Sequence, residues 1–293
     1  MTGVPAKAPV LELADAHTPD EEFTEVWTTG QPVTVEQRDD VVCGHDGEYA
    51  FCAAHVPAAA RYAEPVRDAY LRVLGTLADL GYRRVFRMWN TIAGLTEANA
   101  DGLEVYQDFC LGRAEAYDLV PTPPEGLPAA TGVGSLGEGI TFYLLASRTT
   151  EHQAIENVRQ LPAYRYPPRY GPRPPAFARA AVLPTEGVLF VSGTGSILGH
   201  ETVHAGDIDA QCRTVLANVA TVTAEAVPDA AVPLATLRNV KVYVRHREHL
   251  ERVRRHCDEV FAADADVHYV VTELCRPDLL LEVEAIGVAA KAS

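Results

Sequence analysis

The sequence predicts an α+β fold made of two tandem units, each a β-sheet carrying two helices on one face. Three observations support this. The 293 residues suffice for two modest domains. Segments of strand character alternate with segments of helical period. The order strand–helix–strand–helix–strand occurs twice, on either side of a Pro-rich middle.

Residues 1–40 read as an N-terminal extension of unassigned role, and the first unit occupies residues 41–150. Within it "YAFCAAHVP" is a strand-like run. A helix follows near 61–80, where Val66, Tyr70, Val73, Leu74 and Leu77 share one face and Gly81 stands where a terminating glycine belongs. Next come a strand, "RRVFRMWNTI", and a helix over 101–117. That helix is read as opened by Asp101 with Glu104 three residues on, the spacing of a capping box. A Pro/Gly-rich stretch then leads to the strand "GITFYLLAS".

Residues 151–174 connect the units. Their Pro, Arg and Tyr content suits either a plain linker or the lining of an interdomain cleft. The second unit, residues 175–293, repeats the order: strand "GVLFVSGTG", a helix over 207–226 capped by Asp207, strand "NVKVYVRH", a helix near 247–262, and strands "DVHYVVTEL" and "LLLEVEAI".

Composition narrows the function classes. A net charge of −15 argues against nucleic acid or an anionic membrane as partner, so an anionic ligand needs local arginines. The N-terminus has neither a basic nor an apolar leader region, and no run approaches the roughly 18 apolar residues of a membrane span. The expectation is a soluble cytoplasmic protein. The six cysteines lack C-x-x-C spacing, and most lie in or near apolar segments, which suits reduced core thiols.

The stretch His200-Glu201-Thr202-Val203-His204 matches the zinc-protease pattern H-E-x-x-H. That chemistry needs both histidines on one helix face. Here Gly193, Gly195 and Gly199 precede the pair and Gly206 follows it, so the histidines fall in a strand-to-helix loop and no metal is expected.

Two other features point to chemistry. Leu103, Tyr106, Cys110 and Arg113 form one helical stripe, with Tyr106 and Arg113 two turns apart. A buried Arg113 requires an anion; the alternative is that it snorkels to solvent. In "LLLEVEAI", Leu281, Val283 and Ala285 face one side, while Glu282 and Glu284 face the other between Leu280 and Ile286. The two glutamates are either solvated or, in a cleft, raised in pKa and able to act as acids. The two glycines of "SGTGS" permit close backbone approach.

The motifs "FRMWN", Tyr106 with "FCLGRA", "ENVRQLPAYRYPPRYGPRPPAFARA", "LFVSGTGSILGHETVHAGDIDAQ" and "CRPDLLLEVEA" together resemble the chorismatases, chorismate-cleaving relatives of the RidA/YjgF fold. The resemblance runs from about residue 45 to 290. It implies tandem RidA-like domains in a pseudo-trimeric arrangement and cleavage of chorismate with release of pyruvate. Glu282 matches the acid that protonates the enol-ether methylene. Arg113 and Arg179 match the carboxylate-holding arginines, with Tyr106 a hydrogen-bond donor and Tyr164 and Gln160 further substrate-binding candidates. The first unit's last strand has no carboxylate, so one active site per chain is expected. Gly195 and Cys275 match the branch that makes 3-hydroxybenzoate, whereas the hydrolytic branch, which yields a dihydroxy-cyclohexadiene carboxylate, carries alanine and a small aliphatic residue. In the benzoate branch the neighbouring ring hydroxyl is thought to displace the ether, assisted by Cys275. No cofactor is implied, the partner is a small-molecule substrate with no nucleic acid or membrane, and the chain is expected to be a monomer with internal pseudo-symmetry. The competing reading is a RidA-like imine deaminase or binding scaffold.

Overall fold

The computed structural model describes residues 11, 13, 23–228 and 230–289. Most of the N-terminal extension before residue 23 therefore lies outside the described residues. The first unit runs β1 (Thr34–Arg38), β2 (Val41–His45), β3 (Tyr49–Val56), α1 (Ala63–Leu80), β4 (Arg84–Ala93), α2 (Val105–Leu119), β5 (Ala129–Ser135) and β6 (Ile140–Ser147). The second runs β7 (Gln153–Ile155), β8 (Ala180–Leu183), β9 (Val188–Gly195), a short hairpin β10 (Ile197–Leu198) and β11 (Glu201–Thr202), α3 (Ile208–Ala226), β12 (Leu237–Val244), α4 (Leu250–Asp258), β13 (Asp266–Val271) and β14 (Leu281–Val288).

The internal repeat is complete at the level of topology. The first sheet has the order β1-β2-β3-β6-β4-β5, and the second, read from its other end, β7-β8-β9-β14-β12-β13. In each, one pair is parallel, β4 with β5 and β12 with β13. The order places β14 opposite β6 in the repeat, and both are central strands.

Each sheet buries one face under its helices. Val66, Tyr70, Val73 and Leu77 of α1 pack with Phe109 of α2 and Phe142 of β6. Cys212, Val215, Val219 and Val222 of α3 pack with Val253 of α4 and with Leu281, Val283 and Ala285 of β14. The other two sheet faces pack on each other through Phe86, Trp89, Tyr143, Leu145, Leu183 and Phe190. The layers therefore run helix, sheet, sheet, helix. The units are also joined edge to edge: the Ala130 amide donates to Ser192 Oγ at 2.9 Å, and the Gly134 amide to the Glu273 carbonyl at 2.8 Å.

Several local expectations are corrected. Helix α2 begins at Val105 rather than Asp101. Asn99 Oδ1 accepts from the amides of Asp101 and Leu103 and folds 99–103 into a turn, and Asp101 pairs with Arg61 at 2.6 Å. The helix near 247–262 is shorter, a 3₁₀ turn at Arg247–His249 followed by α4. Strands β5, β7 and β8 were not anticipated, and β1 extends the first sheet back to Thr34. Cys43 and Cys52 are not free thiols. They stand directly opposite each other on β2 and β3, with Cα atoms 4.4 Å apart, and form a disulfide. Of the remaining cysteines, Cys110, Cys212 and Cys257 are buried thiols and Cys275 is half-buried. No described helix is long and apolar enough to cross a membrane.

Candidate active site

A cavity of about 540 Å³ opens where the two units meet. Helix α2 supplies Tyr106 and Arg113 to it. The helix is held at a fixed height by two features. Asp108 accepts from the Tyr62 and Ala63 amides at 2.5 and 3.2 Å, satisfying donors at the start of α1 that no local side chain caps. Gly112 sits so close to Ala63 that a Cβ there would meet its carbonyl oxygen at 2.2 Å. Arg113 is thereby directed inward: it is 3% exposed, lies over the Phe109 ring at 4.9 Å, and has no carboxylate partner among the described residues.

Arg179 enters from the second unit just before β8 and is 2% exposed. One of its terminal nitrogens donates to Tyr166 Oη at 2.8 Å and to the Leu161 carbonyl at 3.0 Å, and Phe177 lies beneath it at 5.2 Å. It too has no carboxylate partner, and the Nε atoms of both arginines are buried without a hydrogen bond. Two buried arginines facing one cavity, neither in a salt bridge among the described residues, make a receptor for a doubly anionic ligand.

Glu282 and Glu284 lie on the sheet face of β14 that is turned away from α3. Both are 4% exposed, so the solvated alternative is excluded. They occupy opposite electrostatic environments. Glu282 lines the cavity with no hydrogen-bond partner among the described residues; burial, and next the charge of Glu284, push its carboxyl up to about 8. Glu284 is also penalised by burial, but Lys241 and Arg87 hold its carboxyl down at about 2. Arg87 Nη2 donates to Glu284 at 2.8 Å, Trp89 Nε1 at 2.9 Å and Lys241 Nζ at 3.1 Å. At neutral pH one glutamate therefore carries a proton and its neighbour a charge, a separation that leaves Glu282 able to donate a proton.

The floor under Glu282 is glycine. A Cβ on Gly193 would lie 1.9 Å from Glu282 Oε1, so the acid occupies the space that any other side chain on that residue would fill. Gly195 pairs with Glu282 across the strands, and a Cβ on it would touch the Leu279 side chain at 3.1 Å. Cys275 and Arg276 line the cavity beside the acid. Burial, then the proximity of Glu282, pushes the Cys275 thiol up to about 12, so it is a thiol rather than a thiolate at neutral pH.

Of the residues singled out from the sequence, Tyr106, Arg113, Arg179, Gly195, Cys275 and Glu282 share the cavity. Tyr164 and Gln160 do not. Tyr164 packs with Tyr117, Leu127 and Ala178 and lines a separate hollow of about 200 Å³. Gln160 is buried behind the wall, donating to the Ile197 carbonyl at 3.3 Å. The sequence reading did not name Tyr166, Thr131 or Arg276, which also line the cavity, as does Gly193, the first glycine of "SGTGS". Tyr166 lies in the connecting segment, which forms the cavity wall rather than a plain linker. Arg276 directly follows Cys275 and was legible only as a neighbour of it.

His200 lies in the β10–β11 hairpin and His204 in the turn after it, where its φ is +60°. The helix starts only at Ile208, so the two histidines do not share a helix face. Arg169 occupies His200, its Nη2 lying 2.9 Å from Nδ1. Among the described residues no group of three or more His, Cys, Asp or Glu side chains is placed to hold a metal ion.

Comparison with known proteins agrees with this geometry. Residues 25–146 match the family described as chorismatase FkbO/Hyg5-like, N-terminal. A 3-hydroxybenzoate synthase of Streptomyces hygroscopicus is 48% identical over 95% of this chain and 85% of its own. A chorismatase of Streptomyces rapamycinicus is 44% identical over 91% of this chain and 83% of its own. A chorismatase crystal structure superposes with a TM-score of 0.89 at 42% identity, covering 94% of this chain and 86% of the other. With similarity of this extent along nearly the whole sequence, the chain belongs to the chorismatase family.

Proposed function

We propose that this chain converts chorismate to 3-hydroxybenzoate and pyruvate, with Glu282 as the general acid. The observation that carries the reading is the content of one cavity: two buried arginines outside any salt bridge among the described residues and one buried carboxyl that keeps its proton. Arg113 and Arg179 receive the two carboxylates of the substrate as charge-assisted pairs. Tyr106 is half-buried at the cavity wall, and desolvation pushes its phenol well above the ordinary value, so it serves as a donor and not as a base. Glu282 delivers its proton to the methylene carbon of the enol ether, and the enol-ether oxygen becomes an oxocarbenium ion. The neighbouring ring hydroxyl, losing its proton, displaces the ether from the ring carbon to give an epoxide-like intermediate, and pyruvate departs with the ether oxygen as its keto oxygen. The epoxide then opens with its oxygen kept and protonated on the carbon that bore the ether, and the other epoxide carbon loses its proton as the ring aromatises. The products sum to the atoms of chorismate with no net water, whereas the hydrolytic outcome consumes one water.

Gly195 and Cys275 support the aromatic outcome. Gly195 leaves the wall open opposite Glu282, and the neutral Cys275 thiol is a polarisable group beside the departing ether. Of the named relatives, the 3-hydroxybenzoate synthase shares 48% of aligned positions. Incubation with chorismate and chromatographic identification of the aromatic product tests the proposal. Equimolar 3-hydroxybenzoate and pyruvate are expected. The dihydroxy-cyclohexadiene carboxylate as main product overturns the branch assignment, and unconsumed chorismate overturns the activity.

A further inference from the structure

The pair of glutamates on β14 raises a question that the reaction itself does not answer, namely why a second carboxylate is buried two residues from the acid. Glu284 is not itself part of the cavity lining. It is the centre of a closed ion cluster between the sheets. Arg87, 1% exposed, donates to it at 2.8 Å. Lys241 reaches it at 3.1 Å and also pairs with Glu25 at 2.6 Å. Arg87 lies on β4 of the first unit and Lys241 on the equivalent strand, β12, of the second. Glu284 stands opposite Lys241 on β14, whereas Leu145 stands opposite Arg87 on β6. Both cations converge on a carboxylate supplied by the second unit alone.

The cluster touches the catalytic floor through one side chain. Thr131 Oγ1 accepts from Arg87 Nη2 at 2.8 Å and from the Gly193 amide at 3.1 Å. Gly193 is the residue on which the Glu282 carboxyl rests. The Arg87 guanidinium is therefore one side chain away from the acid.

We propose that Glu284 is a positioning residue for the reaction, whose task is to hold the Arg87 charge within a neutral cluster and away from Glu282. The proposal rests on Glu282 being the acid. Arg87 and Lys241 are balanced by Glu284 and Glu25, so the cluster has no net charge. Without the charge of Glu284 it carries one uncompensated buried cation, a state that proteins relieve by ionising the nearest carboxyl. That carboxyl is Glu282. The other groups facing Glu282 are Arg179 from the strand next to β9, Arg276 and Cys275 from the loop before β14, and Tyr106 from α2. Both facing arginines favour the ionised form, so the acid tolerates no further free cation.

The test is the pH dependence of kcat/KM for pyruvate release, which reports the ionisation of the free enzyme. In the wild type, activity falls on the alkaline side as Glu282 loses its proton. E284Q is expected to move that limb to lower pH by about one unit or more. R87M is expected to move it to higher pH, and R87M/E284Q, which restores charge balance, to return it close to the wild-type position. If E284Q does not fold, the direction of the R87M shift decides. Folded variants with lower rates but an unmoved limb overturn the proposal, because a purely structural role predicts that outcome. E282Q separates this from the reading it rests on: loss of pyruvate release at every pH keeps Glu282 as the acid, whereas a persisting alkaline limb in E282Q means that the acid assignment has failed and the proposal falls with it.

Discussion

Glu282 shows how far a single residue's environment can depart from what its sequence neighbours suggest. Alternation along "LLLEVEAI" placed both glutamates on one face, but the same pattern fits a solvated edge, and only the packing of a second sheet on that face buries them. Arg113 was ambiguous for the same reason: a long side chain on an apolar stripe can reach solvent unless the neighbouring helix blocks it, as the contact of Gly112 with Ala63 shows. Two predictions belong at this scale. R113A and R179A should each remain folded and lose about 2–5 kcal/mol of substrate binding, the cost of truncating one side of a buried charge pair; an unchanged KM in both removes them from the site. The raised carboxyl of Glu282 also has a cost in stability. Between its ordinary value of 4.5 and about 8 the native state retains a proton that the unfolded chain releases. Its contribution is therefore fully present below the lower value and lost as pH rises through the upper one. E282Q, which cannot ionise, should flatten the alkaline decline of Tm; a parallel decline in both proteins contradicts the raised carboxyl.

At the level of elements, long periodic segments were legible and short ones were not. Helix α3 matches its reading to within a residue because Asp207 caps it through the Ala210 amide and its apolar stripe is unbroken. Strand β5 was missed because "AATGVGS" has the small residues of a loop. Its glycines are required by close neighbours: a Cβ on Gly132 would press on Tyr106 at 3.3 Å, and one on Gly134 on Glu273 at 2.8 Å. The Cys43–Cys52 bond was invisible because its geometry comes from the register of β2 on β3, which spacing does not encode. The branch-defining pair is an element-scale question, since Gly195 ends β9 and Cys275 sits in the loop before β14. The double variant G195A/C275V should fold, because the new methyl group meets only the movable end of Leu279. Pyruvate release should remain measurable, while the product shifts from 3-hydroxybenzoate toward the dihydroxy-cyclohexadiene carboxylate. An unaltered product ratio in the folded, active variant means that both residues merely pack.

For the molecule as a whole, two sheets of matching topology enclose the candidate site. The cavity draws Tyr106 and Arg113 from the first unit and Arg179 and Glu282 from the second, so neither unit alone contains it. The net charge of −15 is no obstacle to an anionic ligand, because the cavity holds buried arginines that form no salt bridge among the described residues. The repeat was legible in the sequence as a recurring order of elements, but the face-to-face packing that makes the cavity depends on which surfaces meet, and neither half encodes that separately. The two sheets differ at the site: β14 carries Glu282, the proposed acid, whereas its counterpart β6 carries no carboxylate. A single substitution should therefore silence the whole chain. The decisive measurement is pyruvate release from chorismate by E282Q, which keeps the shape of the side chain and removes its transferable proton. Turnover should fall by about 10² to 10⁴-fold, the range of general acid catalysis, with chorismate still bound. Near-normal turnover by E282Q would contradict the assignment of Glu282 as the acid on which this mechanism depends.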